Sequence, residues 1–139
     1  MTQSDGLLYT AKVHTTGGRE GGHAVSSDRR LEVRLSVPGA PGSGTNPEQL
    51  FAAGWSACFE SAMAVVARKM KIALPRDYAV DAEIDLNTGN DGYFLRTRLN
   101  VSLPGMEREA AERVLNAADQ TCPYSKATRG NIDVAIKLI

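Results

Sequence analysis

The chain has 139 residues, and its 16 Asp and Glu balance its 16 Lys and Arg, so the formal net charge is zero. At roughly 100 to 200 residues per domain, that length predicts one domain over residues 1–139. Zero net charge with no basic run argues against a nucleic-acid partner, and 42% hydrophobic with 23% charged residues excludes the disordered class.

The first ten residues lack the basic start, apolar run and small-residue cleavage site of a secretory signal, so a cytoplasmic location is expected. Residues 7–15 alternate Leu7, Tyr9, Ala11 and Val13 against more polar neighbours, the period of a half-buried strand. Gly17-Gly18-Arg19-Glu20-Gly21-Gly22 follows as a turn holding Arg19 and Glu20 between glycines. A short strand is expected at residues 23–26, and residues 31–37 alternate without a fault as another. Residues 38–46 are a Gly/Pro-rich loop.

A long helix is expected next, with Asn46 as N-cap, Pro47 at its first position and Gln49 placed for a capping box, running to about Lys71. Between residues 50 and 67 only Glu60 is charged, and Gly54, Ser56, Glu60 and Ser61 interrupt the apolar run, so it predicts a central buried helix and no membrane span. A buried Glu60 requires a partner, an arginine or a backbone donor. After Pro75, two alternating runs flank a Gly89-Asn90-Asp91-Gly92 turn, and hairpin pairing would set Asp85 near Arg96 and Glu83 near Arg98. A second helix from about Met106 to Gln120 carries Ala110, Val114, Leu115 and Ala118 as its apolar stripe; Cys122-Pro123 closes or restarts it, and residues 132–138 alternate as a last strand.

His14 and His23 lie in no metal-ligand spacing, no phosphate-binding loop is present, and no C-x-x-C occurs, which disfavours a thioredoxin-like enzyme. Cys58 and Cys122 remain. On spacing alone Cys58 is a small apolar residue of the helix, whereas Cys122 beside Pro123 can cap a short helix whose dipole favours a thiolate. Arg19 reads singly as an exposed turn residue and Glu48 as an acid complementing the helix dipole.

Taken together, Gly17-Gly18-Arg19-Glu20-Gly21, the run from Asn46-Pro47-Glu48-Gln49 through Gly54-Trp55-Ser56-Ala57-Cys58-Phe59, and Thr121-Cys122-Pro123-Tyr124-Ser125-Lys126-Ala127 resemble the organic hydroperoxide resistance proteins, the Ohr branch of the Ohr/OsmC superfamily. The order and spacing of these motifs cover essentially the whole chain. The resemblance implies an α+β fold, antiparallel sheets wrapped around a long central apolar helix, in an intertwined homodimer. It also implies a thiol peroxidase that reduces alkyl or fatty-acid hydroperoxides to alcohols without metal, haem or other cofactor, and that is recycled by lipoylated proteins or dihydrolipoamide. By the same resemblance Cys58 matches the peroxidatic cysteine, Cys122 the resolving one, and Arg19 and Glu48 the pair that sets the nucleophile's environment.

Physical chemistry is consistent with those roles. A thiol among apolar groups has a raised pKa, so an adjacent guanidinium such as Arg19 is needed to hold Cys58 as thiolate, and Glu48 can orient that guanidinium through a bidentate pair. Ten residues of helix span about 15 Å, so Glu48 and Cys58 of one chain cannot touch directly; either Arg19 bridges them or the site is shared, and a composite site across a dimer interface is expected. On the residues alone, an OsmC-type relative, a non-catalytic ligand-binding dimer and a redox sensor that oxidises without turnover stay open.

Overall fold

A computed structural model describes residues 5–139; Met1–Ser4, part of the stretch weighed above as a targeting signal, lie outside the described residues. The chain forms two compact units, Met1–Pro47 and Glu48–Ile139.

The first unit is a three-stranded antiparallel meander, β1 (Val13–Thr16), β2 (His23–Ser26) and β3 (Glu32–Arg34). The turn between β1 and β2 depends on its glycines: Gly17 and Gly18 take φ of 80° and 69°, and a Cβ on Gly22 would fall on the carbonyl oxygens of Thr16 and Gly18. The strand expected over residues 7–15 is shorter than its alternation suggests. The ladder with β2 ends at the Val13–Ser26 pair; beyond it the Lys12 carbonyl accepts from Ser27 N–H at 2.9 Å, and residues 7–11 stay outside any strand. The strand expected over residues 31–37 is also cut short. Past Arg34 the backbone turns to Thr45, with a bridge at Leu35 and a 2.9 Å bond from Ser36 N–H to the Thr45 carbonyl.

The second unit opens on α1 (Pro47–Met70), which begins at the proline and ends one residue short of the expected Lys71, whose φ of 59° takes it out of the helix. α1 is long and apolar enough to cross a membrane by length and composition, yet Trp55, Phe59, Ala62, Met63, Val66 and Ala67 are buried in the protein's own core. Val80, Leu99, Val101, Leu103, Ala111, Val114, Leu115, Ala118 and Cys122 share that core. Glu60 finds the backbone donor expected of it, accepting a 3.1 Å hydrogen bond from Val80 N–H.

β4 (Ala79–Gly89) and β5 (Gly92–Ser102) form a long hairpin in the expected register, Glu83 opposite Arg98 and Asp85 opposite Arg96. Then come α2 (Arg108–Thr121), α3 (Pro123–Thr128) and β6 (Asp133–Leu138). α2 starts two residues later than expected because Glu107 caps it, accepting from Ala110 N–H at 3.2 Å, and its buried stripe uses Ala111 where Ala110 was expected.

One pairing in this sheet departs from the antiparallel arrangement that the resemblance implies. β6 lies along β5 in parallel, Arg96 opposite Asp133 and Val101 opposite Leu138. The chain leaves β5, passes through α2 and α3 and re-enters from the starting end, which is the crossover that parallel neighbours require. Asp133 thereby reaches Arg96 (3.4 Å), and Arg98 takes Asp85 bidentately at 2.8 Å and Glu83 at 2.6 Å. Asp85 therefore pairs diagonally with Arg98, not with Arg96 opposite it.

Candidate functional site

Cys58 lies midway along α1 and is half-buried; Cys122, at the elbow between α2 and α3, is completely buried, and both thiols are free. Cys122 closes one helix and opens the next: its N–H donates to the Ala118 carbonyl at 2.8 Å and its carbonyl accepts from Lys126 N–H at 3.0 Å. Cys122 thus sits at the N-cap of α3 as expected, although its side chain makes no capping bond to that helix. The sulfur instead lies close enough to Cys58 to raise the pKa of its thiol.

That contact sets the electrostatics. Burial pushes the Cys58 thiol above its ordinary pKa, and the neighbouring Cys122 sulfur adds to the rise through charge and hydrogen bonding, while the Tyr124 backbone N–H favours the thiolate and works against it. Left to these groups, Cys58 is a protonated and sluggish nucleophile at neutral pH, so chemistry at this sulfur calls for a nearby cation.

The elbow is held from several sides. Tyr124 stacks over Trp55 with ring centroids 6.4 Å apart and packs at 6.0 Å from Phe51, and Trp55 meets Phe51 edge-on at 5.5 Å. Trp55 Nε1–H donates to Ser125 Oγ at 3.3 Å in the buried interface. At the far end of α3, Arg129 returns to the end of α2, donating to the Asp119 carbonyl at 2.7 Å and pairing with its carboxylate at 3.4 Å.

The structure thus brings two of the four expected residues, Cys58 and Cys122, into contact. Glu48 is half-buried in the first turn of α1, and Arg19 is half-buried in the glycine-rich turn of the first unit; neither is without a partner. Cys58 stands about 15 Å further along the helix axis than Glu48. His23 is engaged with Glu32 at 3.2 Å, and among the described residues no group of three or more His, Cys, Asp or Glu is placed to hold a metal. Sequence reasoning missed how the cysteines are held together. Gly54 was the available signal: a glycine in a helix interior costs about 1 kcal/mol relative to alanine, and something must need the space.

Comparison with known proteins places these features in context. The OsmC-like protein family model matches residues 39–137. An organic hydroperoxide resistance protein of Xanthomonas axonopodis pv. citri is 46% identical, over 99% of this chain and 99% of its own length. The organic hydroperoxide resistance protein OhrA of Bacillus subtilis is 41% identical, over 94% of this chain and 96% of its own. Among solved structures, OhrB of Bacillus subtilis superposes with a TM-score of 0.89 at 41% identity, covering 96% of this chain and all of that one.

Proposed function

This chain belongs to the OsmC-like protein family, and from that premise we propose that it is a cysteine-based organic hydroperoxide reductase acting in organic peroxide detoxification and oxidative stress defence. The observation that carries the reading is the pair of free thiols at the meeting of α1 and α3, one half-exposed and one fully buried. The relatives named for organic hydroperoxide resistance support the substrate class.

In this reading the Cys58 thiolate attacks one peroxide oxygen, the O–O bond breaks, and the departing alkoxide takes a proton to leave as the alcohol. Cys58 becomes a sulfenic acid. Cys122 then attacks its sulfur, giving an intramolecular disulfide and water, and an external dithiol such as dihydrolipoamide, free or on a lipoylated protein, reopens it by exchange. Arg19 is assigned the cation that the raised pKa of Cys58 calls for, stabilising both thiolate and developing alkoxide, and Glu48 is assigned to orient it.

The active form in this proposal is a cytoplasmic homodimer with composite sites. Leu7, Leu8 and Tyr9 are 85%, 98% and 74% exposed, and α1 leaves Ala53, Ala57, Ser61 and Val65 exposed along one row, apolar surface that a second copy would cover. Antiparallel packing of two copies of α1 would bring Glu48 of one towards Cys58 of the other.

The test is to titrate the reduced protein with an organic hydroperoxide and, separately, with hydrogen peroxide, following free thiols and intact mass. Loss of both thiols with a mass decrease of two hydrogens, faster with the organic peroxide and reversed by dihydrolipoamide over repeated turnovers, is expected. Thiols that stay unreactive in the folded protein would overturn the reading.

A further inference from the structure

The glycine at position 54 lies well inside the 24-residue helix α1, and the reason for its presence is on α3. A Cβ built there would come 2.6 Å from Tyr124 Oη, 3.1 Å from Cζ and 3.6 Å from Cε2. The hydroxyl end of the ring therefore lies against the bare helix backbone. The ring is held where it is by Trp55, which stacks on it and is itself tied to Ser125 of α3, and by Phe51, which packs beside it.

Gly54 is one turn ahead of Cys58 on the same face of α1. Tyr124 is two residues beyond Cys122, and its backbone N–H is directed at the Cys58 sulfur. The separation of α1 from α3 is thus set by the Gly54–Tyr124 contact within one helical turn of the place where the two thiols meet.

We propose that Gly54 and Tyr124 are positioning residues for disulfide closure: the missing side chain at 54 lets the Tyr124 ring dock on α1, and that docking holds Cys122 where it can attack oxidised Cys58. The inference rests on the two-cysteine cycle above. In the step concerned, the Cys122 thiolate attacks the sulfenic sulfur of Cys58, the S–S bond forms, the S–O bond breaks, and hydroxide leaves as water with the proton that Cys122 gives up. A disulfide tolerates little error, with S–S near 2.05 Å and Cα atoms about 4.4–6.8 Å apart. A displacement of about 1 Å at a reacting group can cost about a hundredfold in rate.

The experiment is a single-turnover oxidation of the full-length protein with cumene hydroperoxide, quenched at intervals with dimedone to trap sulfenic acid and read by intact mass. The chains compared are wild type, Gly54→Ala, Tyr124→Phe, the double variant and Tyr124→Leu. Gly54→Ala is expected to slow closure by about tenfold or more while the first oxidation slows by a smaller factor, so that trapped sulfenic acid accumulates. Tyr124→Phe, which removes the nearest clashing atom, is expected to restore part of the closure rate in the Gly54→Ala background. Tyr124→Leu leaves α1 untouched and removes the docked ring, so it should slow closure independently of any folding defect at position 54.

Closure at the wild-type rate in both Gly54→Ala and Tyr124→Leu would overturn the proposal, as would a Gly54→Ala defect of equal size with and without the Tyr124 hydroxyl. If wild type itself formed trappable sulfenic acid and never closed, the two-cysteine cycle would fail and this inference with it.

Discussion

The α1–α3 junction and the outer face of the β4–β5 hairpin both join side chains that the sequence keeps apart, and they do it by opposite means. At the junction nothing can be exchanged: Tyr124 fits because Gly54 has no Cβ, Trp55 has Ser125 for its N–H, and Cys122 is sealed from solvent. On the hairpin the partners have already been exchanged, since Arg98 holds both acids and Arg96 has turned to Asp133. The difference is that the junction relies on shape and burial, which admit one arrangement, while the hairpin relies on solvated charge, which admits several of similar energy.

Substitutions at the junction should therefore act sharply. Cys58→Ser is expected to abolish hydroperoxide consumption, checked by a peroxide assay with dihydrolipoamide as reductant. Cys122→Ser should leave one round of oxidation intact but no closure, so that Cys58 climbs from sulfenic to irreversible sulfinic acid under excess peroxide, visible as successive oxygen additions in intact mass. If Cys122→Ser cycled at the wild-type rate, the contact between the thiols would be a matter of packing alone. Trp55→Ala removes a fully buried indole and the anchor of α3, and should cost about 3–5 kcal/mol in a denaturant titration. Trp55→Phe, keeping most of the volume and losing the bond to Ser125, should cost about 0.5–1.5 kcal/mol.

How far each region can be read from sequence follows the same division. The bounds of α1 and the register of the hairpin were legible, because Asn46-Pro47 and the Gly89–Gly92 turn act locally on strongly periodic runs. The parallel direction of β6 was not, because alternation says which face a residue takes and nothing about which end of the neighbouring strand the chain returns to. The diagonal pairing of Asp85 follows from that omission, as Asp133 could not be placed beside Arg96. Residues 7–11 alternate like a strand, but alternation does not supply a partner, and the ladder with β2 ends at the Val13–Ser26 pair. At the site, no spacing rule relates Cys58 to Cys122; their association came from resemblance, and the structure brings the sulfurs together. Arg19 and Glu48 were named on resemblance as well, and their roles stand as part of the proposal.

The smallest expected effect is on the hairpin, and its dependence on pH and salt is the clearest check on the contrast. The Arg98 guanidinium bonded to Asp85 holds that carboxyl below its ordinary value of 3.8, with the charges of Arg98 and Arg96 adding to the shift. A carboxyl whose pKa is depressed on folding contributes stability that is complete above the unfolded value and is lost as pH falls from there through the folded value. Stability of the wild type should thus decline as pH falls from about 4, and Asp85→Asn should flatten that decline while lowering stability at neutral pH by a similarly small amount. Arg98→Gln should weaken the same dependence, and the difference from wild type should shrink in high salt, because both partners are well exposed. Denaturant midpoints measured across that pH range at low and high salt would decide it. A loss at neutral pH as large as that of Trp55→Ala would mean that the charged face admits one arrangement after all, and the contrast between the two regions would fail.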